Sequence, residues 1–99
     1  MEKYTPHTRL HVVKNMIVEQ GKVEITWSAT QTANKLGFTS EDIKNTILAL
    51  TPKDFYKSMT TYNDTTIWQD VYQPLLPGGQ VYLKLTVSNN VLVVSFKDK

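Results

Sequence analysis

Two alternating segments near the carboxyl end, QVYLKLTV (80–87) and VLVVSFK (91–97), constrain the fold more than any other feature of the sequence. In the first, every second residue from Val81 to Val87 is apolar. A period of two is typical of a strand with one face in the core and the other open. Asn89-Asn90 tolerate the positive φ of a tight turn, so the segments predict an antiparallel hairpin.

The hairpin register follows from matching the apolar faces of its two strands. Its predicted core pairs join apolar residues: Val87 with Leu92, Leu85 with Val94, and Leu83 with Phe96. On the open face the same register sets Tyr82 opposite Lys97, within the ~4.5–5.5 Å Cβ separation of cross-strand pairs. A phenol and an ammonium group are therefore predicted to meet on an accessible surface.

The first half of the chain has helical patterns. Thr5-Pro6 and the spacing of Leu10, Val13 and Ile17 predict a first helix from about Pro6 to Gln20, which Gly21 ends. The alternation of residues 22–26 predicts a short edge strand.

Two shorter helices are expected after that strand. Ser28 with Gln31 predicts a capping box for the second helix, which Gly37 ends. Thr39 or Ser40 caps a third helix, which stops at Thr51-Pro52.

The segment DFYKSMTTYNDTTIWQDVY (54–72) predicts a second hairpin that contains Lys57 and Gln69. With a loop of two or four residues, these side chains point to opposite faces. A five-residue loop, 62–66, places them diagonally on one face but adds Ile67 and Val71 to that face, a cost that only a bulge removes. The sequence leaves these alternatives open.

Together the patterns predict an α+β fold with helices packed on one face of a small antiparallel sheet, in a single domain over residues 1–99. No run approaches the roughly 18 apolar residues of a membrane span, so we expect a cytoplasmic protein without a membrane partner.

Composition excludes several chemistries. The chain has no cysteine, which removes disulfides, thiolate-bound zinc and a cysteine nucleophile. Its net charge of +2 permits a nucleic-acid partner without requiring one. His7 and His11 are one turn apart on the predicted first helix, but no third ligand is evident, so we interpret them as solvated and predict no metal site. The sequence contains no glycine-rich phosphate-binding loop, so no nucleotide cofactor is expected.

The words TPHTRL, DFYKSMTTYNDTTIWQDVY, GQVYLKLTV and VLVVSFK resemble the MqsR toxins, the motility quorum-sensing regulator family of RelE-like messenger-RNA interferases. The resemblance covers nearly the whole chain and is densest from Asp54 onward. It implies a RelE-like fold and an endoribonuclease that cleaves mRNA at sites of the GCU kind without the ribosome. It also implies a cognate antitoxin of the MqsA type, through which the toxin would associate with DNA only indirectly.

The resemblance also assigns roles to residues of the open face. The family's catalytic residues fall on Lys57, Gln69, Tyr82 and Lys97. The resemblance also implies that Tyr56 and Met59, which flank Lys57, contact RNA. Lys84 lies on the open face of the last hairpin and is a further residue expected to bind RNA.

These residue types suit RNA cleavage, because the 2′-hydroxyl of RNA is itself the nucleophile and needs no metal. An ordinary lysine is neutral in only about one molecule in 2,500 at pH 7. Lys57 and Lys97 are therefore expected to stabilise the phosphorane as cations, with Tyr82 as a proton or hydrogen-bond donor and Gln69 in an orienting role. The general base stays open. The alternative is a non-catalytic module that binds RNA or protein through Tyr56, Trp68 and Tyr82.

Overall fold

The computed structural model describes residues 1–99, in which three helices and seven strands follow one another along the chain. The helices are α1 (Leu10–Gln20), α2 (Trp27–Lys35) and α3 (Ser40–Leu48), and a short 3₁₀ turn spans Pro52–Asp54. The strands are β1 (Glu2–Lys3), β2 (Glu24–Ile25), β3 (Phe55–Thr60), β4 (Trp68–Tyr72), β5 (Leu75–Leu76), β6 (Gly79–Val87) and β7 (Val91–Asp98).

Six of the strands form one path in the order β1-β3-β4-β6-β7-β2, and β5 pairs with β6 off this path. All pairs are antiparallel except β2 with β7, which is parallel. The predicted edge strand at residues 22–26 is present as the shorter β2. The sequence did not predict β1 and β5, because two residues are too few to show an alternation.

The three helices cover one face of this sheet and form the core with it. Val13 and Ile17 of α1 belong to the same buried cluster as Leu83 of β6 and Phe96 of β7, and the members of this cluster are at most 4% exposed. The α+β fold with helices on one face is therefore confirmed. None of the three helices has both the length and the hydrophobicity needed to cross a membrane.

The predicted start of the first helix was wrong, since α1 begins at Leu10 rather than near Pro6. The backbone N–H groups of His7 and Thr8 donate to the two carboxylate oxygens of Asp70 on β4, at 2.9 and 3.0 Å. Because these contacts tie the segment to the sheet, residues 6–9 do not continue the helix, and Arg9 becomes the N-cap.

The other helix ends follow the sequence more closely. Thr26, rather than Ser28, caps α2 by accepting a hydrogen bond from the Ala29 backbone. Gly37 follows that helix with a φ of 86°, the left-handed conformation that glycine adopts readily. Thr39 and Asp42 form a capping box at α3, which ends at Leu48, before the predicted stop.

The last hairpin keeps the predicted register at one end and loses it at the other. Tyr82 lies opposite Lys97 and Leu83 opposite Phe96, which confirms those pairs. Beyond Lys84 a bulge shifts the pairing, so the observed pairs are Leu85 with Val93, Thr86 with Leu92 and Val87 with Val91. The predicted pairs of Leu85 with Val94 and Val87 with Leu92 were therefore wrong, because Val94 is an extra residue in β7.

The bulge also lengthens the hairpin turn. Three residues, 88–90, now join the strands instead of the predicted two. The expectation of positive φ at Asn89-Asn90 was wrong, since only glycines have positive φ in this chain.

Candidate active site

The first hairpin adopts the longest of the loops considered from the sequence. Thr61 N–H donates to the Ile67 carbonyl at 3.0 Å, so residues 62–66 form a five-residue loop. The register then sets Lys57 opposite Val71 and Met59 opposite Gln69. Lys57, Met59 and Gln69 consequently share the face of the sheet that no helix covers, which we call the open face.

A β-bulge at the start of β3 precedes Lys57. Phe55 pairs with Tyr72 and Lys57 with Val71, which leaves Tyr56 as the extra residue. Phe55 therefore packs on the helix side, edge-on to the Tyr72 ring at a centroid distance of 5.5 Å. Tyr56 itself is 46% exposed, and its ring centroid lies 5.3 Å from the Lys57 ammonium.

The middle of the open face is a row that crosses three strands. Lys57 on β3 and Lys84 on β6 both pair with Val71 on β4, one from each side. Val71 is fully buried although no helix covers it. The apolar cost that the five-residue loop implied is thus met by burial at Val71, whereas Ile67 remains 42% exposed.

Tyr82 lies beside two ammonium groups on the same face. The nitrogens of Lys97 and Lys84 are 5.3 and 5.7 Å from its ring centroid. We call Lys57, Tyr82, Lys84 and Lys97 the open-face cluster. Gln69 is not part of this cluster. Val71 of β4 pairs with Lys84 of β6, and Gln69 and Tyr82 lie on opposite sides of that pair along the strands, each two positions away.

The Lys57 ammonium has an acidic partner that the sequence patterns did not indicate. Strand β1 pairs with β3 so that Glu2 lies opposite Met59, again on the open face. Its Oε2 accepts a hydrogen bond from Lys57 Nζ at 2.6 Å. The Lys57 side chain is 17% exposed and that of Glu2 is 47% exposed, so the carboxylate lies nearer the solvent.

The cluster changes the proton affinity of its members in different directions. The hydrogen bond to Glu2 raises the pKa of Lys57, so this residue stays a cation at neutral pH. Burial raises the pKa of Tyr82, which keeps its phenolic proton. The pKa of Lys84 is lowered by burial first, and then by the charges of Lys97 and Lys57. The arrangement supplies cations and a proton donor to an anion on the open face.

Asp70 supports the site from the opposite side of the sheet. It is 2% exposed and accepts hydrogen bonds from the His7 and Thr8 backbone and from Ser58 Oγ, the last at 2.6 Å. These bonds attach the segment that follows β1, and therefore Glu2, to the sheet. The sequence feature that could have indicated this role is a single carboxylate on the helix-facing side of a strand.

The two histidines lie apart from the cluster. His7 precedes α1 rather than belonging to it, and its ring stacks on Trp68 at 5.5 Å while Nδ1 contacts the Lys3 ammonium at 3.0 Å. The placement of His7 on the first helix was therefore wrong, whereas its side chain is exposed as predicted. No group of three or more His, Asp or Glu side chains lies close enough to hold a metal ion.

A cleft of about 570 Å³ lies on the helix side of the sheet, between α1 and the 3₁₀ turn. Tyr72 is one of the residues that line this cleft, and its buried hydroxyl has no hydrogen-bond partner within the protein. No residue of the open-face cluster lines this cleft, so its size does not make it the reactive site.

Comparisons with known proteins agree with the sequence resemblance. Residues 5–98 match the family described as motility quorum-sensing regulator, toxin of MqsA. The chain is also 58% identical to the mRNA interferase toxin MqsR of Escherichia coli (strain K12), over 99 residues that make up the whole of both chains.

Proposed function

The chain belongs to the MqsR toxin family, and we propose that it is an endoribonuclease that cleaves mRNA independently of the ribosome and of metal ions, at sites of the GCU kind. The proposal treats residues 1–99 as one RelE-like toxin domain. The observation that supports it most is the open-face cluster, where the ammonium groups of Lys84 and Lys97 lie beside the protonated phenol of Tyr82 on a surface without helices.

Charge stabilisation, protonation of the leaving group and orientation of the substrate each have a candidate group on this face. The 2′-oxygen attacks the adjacent phosphorus, and charge develops on the phosphorane oxygens. Lys57 and Lys97 stabilise that charge as cations, and Tyr82 donates its proton to the departing 5′-oxygen. Gln69, farther along β4, orients a base or a neighbouring phosphate through its amide.

Binding uses the residues around this centre. Tyr56 is exposed at the β3 bulge, where its ring offers a base a stacking surface. Met59 lies next to Lys57 on the open face, and Lys84 adds a third cation beside Tyr82. Since the chain has one arginine, phosphate contacts rest mainly on lysine ammonium groups.

The partners follow from the proposed activity. We expect mRNA as the substrate, in the cytoplasm, and inhibition by a cognate antitoxin of the MqsA type. Association with DNA is expected only through that antitoxin.

The test is cleavage of a defined RNA by the purified chain in excess chelator. We expect one cut at a GCU site, with 2′,3′-cyclic phosphate and 5′-hydroxyl ends, because the nucleophile is the substrate's own hydroxyl. A matched RNA with 2′-deoxyribose at the cleaved nucleotide should bind but resist cleavage. Activity that disappears with chelator, or 3′-hydroxyl products, would contradict the mechanism. Binding of RNA without any product would favour the non-catalytic module.

A further inference from the structure

The general base that takes the 2′-hydroxyl proton has no assignment among the sequence-derived residues. A base must be unprotonated before it reacts and must face the substrate. Raised pKa values keep Lys57 and Tyr82 protonated, and the amide of Gln69 accepts no proton at neutral pH. The group sought is therefore outside the set Lys57, Gln69 and Tyr82.

Glu2 meets both requirements. It is the carboxylate that contacts the open-face cluster, through its 2.6 Å hydrogen bond with Lys57. Only Oε2 is used in that bond, and Oε1 makes no hydrogen bond with the protein. Since nearly half of the side chain is exposed, this second oxygen can reach a bound ribose.

The position of Glu2 is fixed by backbone pairing. β1 pairs with β3 through Glu2–Met59 and Lys3–Ser58. The Met1 carbonyl also accepts a hydrogen bond from the Thr60 backbone at 3.0 Å. A carboxylate carried on a paired strand beside a half-buried lysine is more strongly oriented than one on a free surface chain.

We propose that Glu2 is the general base of the ribonuclease reaction, an assignment that rests on the proposed function. The 2′-O–H proton passes to Glu2 as the bond from the 2′-oxygen to phosphorus forms. The bond from phosphorus to the 5′-oxygen breaks, and that oxygen takes the proton of Tyr82. Water then removes the proton from Glu2 and returns one to Tyr82, which restores both groups.

Lys57 takes part in both halves of this step. Its ammonium donates a hydrogen bond to the Glu2 carboxylate before substrate arrives. When the phosphate binds, the same ammonium faces two anions, and the charge that grows on the phosphorane competes with Glu2 for it. Proton transfer to Glu2 then removes the competing charge, so the two events favour each other.

The test compares Glu2→Gln with Glu24→Gln in the untagged chain. Glu24 is a matched control, because it also lies on a two-residue strand, is 46% exposed and pairs with a lysine, Lys22, at 3.3 Å. Single-turnover rates are measured between pH 4 and 8, and affinity is measured with the 2′-deoxy RNA.

We expect Glu2→Gln to lower the rate by about 10²–10⁴-fold and to remove the fall in rate toward acid pH. Its affinity for the 2′-deoxy RNA should be unchanged or tighter, since a negative charge is lost near the phosphate. Glu24→Gln should behave as wild type. Glu2→Asp keeps the carboxylate and should retain the acid-side fall with an intermediate rate.

Several results would overturn the assignment. A Glu2→Gln rate within about threefold of wild type would do so, as would a lower rate with an unchanged pH profile, which indicates positioning alone. If the fall in rate toward acid pH persists in Glu2→Gln but disappears in Lys84→Met, the general base is Lys84 rather than Glu2. If the wild-type protein leaves no 2′,3′-cyclic phosphate, the proposed function is refuted. If the wild-type products have the expected ends but Glu2→Gln cleaves as fast as wild type, only the assignment of Glu2 as general base is refuted.

Discussion

Replacing Asp70 with Asn should destabilise the protein far more than its small change in shape suggests. The carboxylate is buried and accepts three hydrogen bonds, two from the backbone of His7 and Thr8 and one from Ser58 Oγ. The two backbone donors use different oxygens, Oδ1 and Oδ2. An Asn side chain has one oxygen, so its NH₂ group must face one of the two N–H donors.

The expected loss is about 3 kcal/mol of unfolding free energy. Hydrogen bonds to a charged group contribute roughly 1.5–3 kcal/mol each, and a buried donor left without an acceptor costs about 1–3 kcal/mol. The substitution breaks one bond outright and removes the charge from the others. For a chain of 99 residues this loss corresponds to a melting temperature lower by roughly 12–24 °C.

Urea unfolding at neutral pH measures the effect, with Ser58→Ala as the control. Ser58→Ala removes one donor and leaves the backbone contacts in place, so it should cost about 1.5 kcal/mol, the lower end for a hydrogen bond to a charged group. Amide exchange at His7 and Thr8 should accelerate in Asp70→Asn more than exchange in α2, because the tether is local. A loss below about 1 kcal/mol, or equal effects of the two variants, would refute the account of Asp70 as the anchor.

Three further predictions concern Tyr72, Lys57 and Tyr82. Burial raises the pKa of Tyr72 to about 12, so the folded state keeps a proton that the unfolded state loses above pH 10. This stability is complete below pH 10 and falls toward pH 12, by about 1.4 kcal/mol at pH 11. Urea unfolding at pH 9 and 11 should show a smaller loss in Tyr72→Phe but not in Tyr62→Phe, whose hydroxyl is exposed; equal losses would contradict it. Lys57→Ala should lower the cleavage rate by about 10²–10³-fold with little effect on folding, and Lys57→Arg should recover part of it. Tyr82→Phe should lower the rate by about 10²–10⁴-fold, and rates within twofold of wild type for both Lys57→Ala and Tyr82→Phe would place the site elsewhere.

The sequence predicted what periodicity can carry. The alternation in β6 located the open face and the pair of Tyr82 with Lys97, because a strand with one buried face leaves its mark at every second residue. It did not predict the bulge at Val94, since VLVV is apolar at four successive positions and fits either register. The bulge accompanies the three-residue turn, and alternation encodes neither of them.

The rest of the candidate site depends on contacts distant in sequence. Glu2 meets Lys57 across 55 residues, and His7 meets Asp70 across 63. A strand of two residues is too short to show a periodic pattern. Thr5-Pro6 resembles the start of a helix in the sequence, which does not reveal that the carboxylate of Asp70 accepts hydrogen bonds from the N–H groups that follow. Local propensity at residues 6–9 was overridden by tertiary hydrogen bonds, which removed His7 from the helix and brought β1 to the edge of the sheet.

The burial of Val71 explains how lysines can act as oriented groups on an exposed sheet. A lysine on a flat surface samples many rotamers, and fixing it costs entropy. Here Lys57 and Lys84 both flank Val71, and it is completely shielded from solvent on a face without helices. Because lysine stems in such positions cover apolar surface while their ammonium groups reach solvent, we infer that part of the ordering occurs on folding rather than on RNA binding. Val71 made the five-residue loop look unfavourable in the sequence. In the structure, the same residue favours fixed positions for Lys57 and Lys84.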